Sequence, residues 1–299
     1  MAEPPATATP AGRAASNGEG WAEVFLSVSE GQICEPWQSV ARGHSILVLR
    51  DLATPTECEQ LRAEASSAAA AERDDVKGKF ACDRPERIRL PVLERLGDEG
   101  LALYDALLLR ACARAKECLP ALVSGLFGED TLNGSTCLHN DQLMFSLGEP
   151  AINVYQSGGC FKAHQDKQSL TVLMPLTSSD AFEGGGTAFW SADQPLPEYG
   201  GSGADGFLKG PAPALELVPA AGAALLFGGS VTHAGLSVSS GERVCFVCSF
   251  SPSSGRDLGR AADGGVVRPV EEETVWRAGE EVDSCLPVGD STGPIILSF

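Results

Sequence analysis

Residues 151–176 read AINVYQSGGCFKAHQDKQSLTVLMPL, and this stretch decides how the rest of the chain is read. Ala151–Gln156 and Leu170–Leu176 are short apolar runs set off by turn formers, which is the pattern of strands. Between them, His164-Gln-Asp166 spaces an imidazole and a carboxylate two positions apart. On a strand, residues i and i+2 share a face, so the two groups are expected to converge. Moving outward, the same texture recurs in Gln142–Ser146, Thr187–Trp190, Leu215–Val218, Ala223–Phe227 and Arg243–Phe250, with Gly, Pro and Ser between the runs. Many short strands punctuated in this way predict an antiparallel sandwich or barrel. Residues 191–213 break the pattern with a Gly/Pro-rich insertion whose length predicts either a functional or an unstructured loop.

The N-terminal half reads differently. Ser45–Leu49 predicts a strand, and Thr54-Pro-Thr-Glu57 combines a capping box with Pro at the first helical position, opening a helix to about Arg73. Residues 74–97 are charged and read as loop. From Asp98 an apolar stripe at helical spacing, Leu101, Tyr104, Leu107, Leu108, Ala111 and Ala115, predicts a second helix whose stripe packs on the core. The expected organisation is therefore an unstructured segment over 1–20, a supporting strand and helices over 44–137, a β-rich core over 138–251 and an extension over 252–299. The apolar end of that extension, Pro294–Phe299, is expected to fold back on the body.

Charge narrows the function. The 299 residues carry 40 acidic and 22 basic side chains, a net charge of −18, which disfavours a nucleic-acid partner because phosphate backbones are held by clustered Lys and Arg. Neither a spanning segment nor a secretory leader is legible, so no membrane partner and a cytoplasmic location are expected, with an organelle-targeting N-terminus as the alternative. The ten cysteines are scattered; Cys245 and Cys248 alone have C-x-x-C spacing, and on a strand they face opposite ways, so reduced, packed thiols are expected throughout.

Of four histidines, His164 and His233 lie in the β-rich half. Two imidazoles and one carboxylate on one side of an ion form the facial triad suited to non-haem Fe(II), which leaves open positions for substrate and O₂. Arg243, ten residues after His233 at the start of an apolar strand, offers a fork suited to gripping a carboxylate. His44 and His139 read as structural.

Taken in order, these motifs resemble the Fe(II)/2-oxoglutarate-dependent dioxygenases of the prolyl 4-hydroxylase-like branch. Asn153-Val-Tyr155, Gly158-Gly159, His164-Gln-Asp166, Thr171-Val-Leu173, Phe182-Glu-Gly-Gly-Gly-Thr-Ala-Phe189, Pro219-Ala-Ala-Gly222, His233-Ala-Gly235 and Gly241-Glu-Arg243 follow the family's order over about residues 44–251. Two positions depart from it: Met174-Pro-Leu-Thr177 replaces a Tyr-Leu-Asn, and Cys245 replaces a Ser or Thr.

The resemblance implies an α+β, mainly β fold with a double-stranded β-helix (jelly-roll) core. It implies Fe(II) held by His164, Asp166 and His233, 2-oxoglutarate contacted by Arg243, Tyr155 and Thr171, O₂ as co-substrate, and ascorbate as an accessory. The implied reaction couples decarboxylation of 2-oxoglutarate to succinate with hydroxylation of a C–H bond, most naturally on a peptidyl proline. The intact carboxylate at Asp166 favours hydroxylation over halogenation. Other readings are a hydroxylase of small molecules or other side chains, a non-catalytic jelly-roll binding module, and a cupin-type protein for another metal. Residues 74–92 and 191–213 are the expected loops over the site, and oligomeric state is not legible.

Overall fold

The computed structural model describes residues 14–15, 20–26, 36–73, 86–129, 132, 136–191, 194, 198–199, 208–209, 211–253 and 296–298. Most of the expected N-terminal segment, residues 74–85 of the first expected loop, much of the 191–213 insertion and most of the extension lie outside them. Within the stretch expected to be unstructured, Ala14–Ala15 nonetheless pair with the strand Trp21–Phe25.

The described residues form five helices, α1 (Pro36–Ala41), α2 (Pro55–Arg73), α3 (Val92–Arg95), α4 (Asp98–Cys118) and α5 (Pro120–Phe127). The N-terminal strands are β1 (Ala14–Ala15), β2 (Trp21–Phe25), β3 (Ser45–Leu49), β4 (Arg87–Pro91) and β5 (Leu143–Phe145). Next come β6 (Ala151–Tyr155), β7 (Phe161–His164), β8 (Leu170–Pro175), β9 (Phe182–Gly184), β10 (Thr187–Trp190), β11 (Glu198–Tyr199), β12 (Leu208–Lys209) and β13 (Leu215–Val218). The last are β14 (Ala224–Phe227), β15 (Thr232–Gly235), β16 (Val238–Gly241), β17 (Arg243–Pro252) and β18 (Ile296–Ser298).

Two sheets face each other. The large one runs β1-β2-β3-β14-β8-β17-β6-β4, with β5 on the far end of β17; the small one runs β18-β13-β10-β15-β7. In chain order the core strands β6, β7, β8, β10, β13, β14, β15 and β17 alternate between the sheets in a large-small-large-small, small-large-small-large sequence. That winding is the jelly roll. Every pairing between these strands is antiparallel.

The helices cover the outer face of the large sheet. Along β17, Val244, Phe246, Cys248 and Phe250 join the helix-side core, while Arg243, Cys245 and Val247 line an interior cavity. This division explains why β17 and β6 read as unbroken apolar runs: both faces are covered. The stripe of α4 seats as expected, with Tyr104 stacked on Phe246 at 3.9 Å and its hydroxyl donating to the Val247 carbonyl at 2.7 Å. The α2 capping box is present in both directions, Thr54 N to Glu57 Oε2 at 2.8 Å and Glu57 N to Thr54 Oγ1 at 3.2 Å.

Two expectations are corrected. Within residues 74–97, read as loop, Val92–Arg95 is helix α3, and Arg87–Pro91 is strand β4, hydrogen-bonded to β6 at the edge of the large sheet. Its signal is an inverted alternation: Arg87 and Arg89 are the cavity-side residues, and Ile88 and Leu90 pack under the helices. Cys160 is disulfide-bonded, so the cysteines are not uniformly reduced. Cys58, Cys112, Cys118, Cys137, Cys245 and Cys248 are free. As expected, Ile296–Ser298 return to the body, as a strand parallel to β13. No helix among the described residues is long and apolar enough to cross a membrane.

Because Tyr104 ties the helical layer to a cavity strand, Tyr104→Ala is expected to cost about 3–5 kcal/mol, the range for emptying an aromatic core position. Tyr104→Phe should cost only about 1 kcal/mol, one net hydrogen bond. Urea denaturation of both variants checks the ratio.

Candidate metal centre

The register of the small sheet brings the histidines together. β7 and β15 pair antiparallel with His164 directly opposite His233, and the two rings lie 4.3 Å apart between centroids. Asp166 does not arrive as the sequence pattern suggests. β7 ends at His164, and Asp166 lies in the following turn, where Lys167 takes a left-handed φ of 60° and donates its N–H to the Gly229 carbonyl. The turn, rather than a shared strand face, delivers the carboxylate.

Asp166 Oδ1 lies 3.4 Å from His164 Nε2, and Oδ2 lies 3.6 Å from His233 Nε2. The three donor atoms fall within 4.8 Å of one another. Each Nδ1 faces a backbone carbonyl two residues upstream: Lys162 at 2.7 Å for His164 and Val231 at 3.3 Å for His233. A carbonyl can only accept, so Nδ1 carries the proton and Nε2 presents its lone pair. Burial lowers the His233 pKa to about 4, and the nearby His164 pushes the same way against the opposing pull of Asp166. The ring is therefore neutral at physiological pH. Burial opposes the charge on Asp166, but His233, His164 and a 2.6 Å hydrogen bond from Thr171 hold its carboxyl well below the usual range. Two imidazole nitrogens and a carboxylate thus converge on one point, an arrangement that a divalent cation completes. The donor set fits Fe(II).

The cavity behind this triad is lined by Tyr155, Thr187, Arg243, Cys245 and Val247 among others. Arg243 is 3% exposed, which excludes a solvent-facing role; its Nη2 donates to Thr187 Oγ1 at 3.0 Å and its guanidinium sits 5.3 Å from the Tyr155 ring. Burial raises the Tyr155 pKa, keeping the phenol a neutral donor. The turn Gly184–Gly186 has φ values of 70°, 65° and 98°, all in the left-handed region, and a Cβ on Gly185 would stand 2.8 Å from the Phe182 ring and 3.2 Å from Arg243 Cδ. This is why the stretch before Thr187 is glycine.

Of the six residues singled out from the sequence, His164, Asp166, His233, Tyr155 and Arg243 line one cavity. Thr171 is fully buried behind the carboxylate, with its hydroxyl on Asp166. Arg89, Glu149 and Asn153 share the cavity wall and were not singled out. Alternation from Tyr155 would have found Asn153, and reading β4 as a strand would have found Arg89. Glu149 carries no local signal. The cavity has a volume of about 30 Å³. His44 and His139 lie outside this cluster.

No protein-family model matches the chain. No curated protein sequence matches it either. Among solved structures it is similar to SnoN from nogalamycin biosynthesis, described as a non-heme alpha ketoglutarate dependent epimerase (14% identity, 72% of this chain and 80% of that one, TM-score 0.44). It is likewise similar to HygX from Streptomyces hygroscopicus with nickel and 2-oxoglutarate bound (14% identity, 72% and 85%, TM-score 0.43). A third such structure is a Pseudomonas putida prolyl-4-hydroxylase (15% identity, 72% and 98%, TM-score 0.41).

Proposed function

We propose that this chain is an Fe(II)- and 2-oxoglutarate-dependent oxygenase that hydroxylates a C–H bond. One observation carries the reading: three converging lone-pair donors and a buried guanidinium share a single cavity. His164, Asp166 and His233 would hold the metal. A metal held there with 2-oxoglutarate would supply O₂ activation, coupling loss of CO₂ from the keto acid to oxidation of the substrate.

The remaining work belongs to the protein's own side chains. The 2-oxoglutarate tail carboxylate is the partner that suits Arg243, whose buried guanidinium otherwise meets the neutral Thr187 hydroxyl and the Tyr155 ring. Tyr155 donates a neutral O–H to the same ligand. Thr171 holds the Asp166 carboxylate in place rather than contacting the co-substrate. Leu173, Val247 and Phe161 keep the wall dry, which strengthens each polar contact. Ascorbate would serve as an external reductant. A peptidyl proline is the substrate suggested by motif resemblance, and a small molecule is the alternative.

Anaerobic titration of the metal-free protein with Fe(II) and then 2-oxoglutarate should develop the weak visible charge-transfer band of a chelated keto acid; absence of metal uptake would refute the reading and leave a jelly-roll binding module. His233→Ala should abolish both the band and succinate formation while far-UV circular dichroism is unchanged. Arg243→Met should raise KM for 2-oxoglutarate by roughly 10- to 100-fold, the loss of charge-assisted hydrogen bonds. Thr171→Val should weaken metal binding about 10- to 100-fold, as loss of a ligand's supporting hydrogen bond does elsewhere, measured by competition with a chromogenic chelator.

A further inference from the structure

On the same sheet as Arg243, one row along, the cavity wall holds a pair of opposite charges. Arg89 Nη2 and Glu149 Oε1 are 2.7 Å apart, with side chains 10% and 4% exposed, and both line the cavity that holds the triad. Glu149 Oε2 also accepts the Ser249 N–H, and Ser249 Oγ lies 3.3 Å from the Thr171 hydroxyl that donates to Asp166. The Glu149 carboxylate therefore sits a short chain of contacts from the metal-binding carboxylate. Arg89 comes from the edge strand β4, directly across from Asn153 of β6. Asn153 is 5% exposed, lines the same cavity, and its Oδ1 is buried with no hydrogen-bond partner.

A buried ion pair is a poor device for stability, since apolar groups of similar volume serve as well or better. An orphan amide oxygen adds a further cost. Both features acquire a purpose if a ligand completes them. This pair is the part of the cavity wall that a ligand can replace charge for charge.

We propose that Arg89 and Glu149 recognise a small zwitterionic substrate of the α-amino-acid type, the guanidinium taking its carboxylate and the carboxylate its ammonium, with Asn153 Oδ1 accepting a further N–H or O–H. This inference rests on the oxygenase reading and names its substrate class. Exchange of one pair for two leaves no buried charge unmet. A dicarboxylate would leave Glu149 facing an anion. A residue inside a peptide has neither free terminus and would open the pair without replacing it.

The full chain is titrated calorimetrically with the twenty L-amino acids, their N-acetyl and methyl-ester derivatives, and proline-rich peptides; the charge-transfer band with Fe(II) and 2-oxoglutarate is recorded in parallel. At least one free amino acid should bind, with its N-acetyl and ester forms at least about 50-fold weaker. The double variant Arg89→Met/Glu149→Met, which removes both charges together, should lose that binding. Arg89→Lys should recover part of it relative to Arg89→Met. Equal binding of blocked derivatives or peptides, unchanged binding by the double variant, or no binding by any zwitterion while the band forms would each overturn the proposal. Amino-acid binding without any band would support the recognition pair and refute the oxygenase reading. Should the double variant not fold, the comparison of free and blocked ligands on the unaltered chain still decides.

Discussion

The pairing of β7 with β15 is the constraint on which the site depends. Antiparallel register puts His164 and His233 opposite each other without any help from the loops, and opposite residues in such a ladder are close neighbours. A slip by one position would turn one ring out of the cavity. What fixes the register is burial: Ala234 and Ala188 pack with Trp190 on the outer side of the small sheet, while Phe227 and Phe189 pack against the His233 ring on the inner side. The site is thus a by-product of how the two sheets fill the space between them.

The large sheet contributes by presenting whole rows. Arg87, Tyr155 and Arg243 stand across from one another on β4, β6 and β17, and Arg89, Asn153 and Cys245 form the next row. At the open side of the roll, Arg87 lies over the Phe161 ring at 4.1 Å, and Phe161 packs on His164 at 4.3 Å between ring centroids. An edge strand of one sheet therefore reaches across to the ligand-bearing strand of the other. Because Tyr104 and Phe246 clamp the reverse face of β17, the helical layer and the cavity rows share one rigid element.

What the sequence made legible follows from what each strand buries. β6, β8 and β17 are covered on both faces and show as apolar runs; α4 shows its stripe because one face is wet. β4 escaped because its inward residues are arginines, so the usual alternation of apolar inside and polar outside is reversed. The histidines and Arg243 were found by motif order, and their neighbours Arg89 and Glu149 were not, because they meet across 60 residues of chain. The turn at Lys167 left no trace in residue type, since a left-handed lysine is held by its surroundings and not by its own preference.

The parallel strand Ile296–Ser298 closes one edge of the small sheet. It saturates the outer rim of β13, where unpaired amides and carbonyls would otherwise invite a foreign strand. Without that pairing the rim of β13 would present a ready template for intermolecular sheet growth.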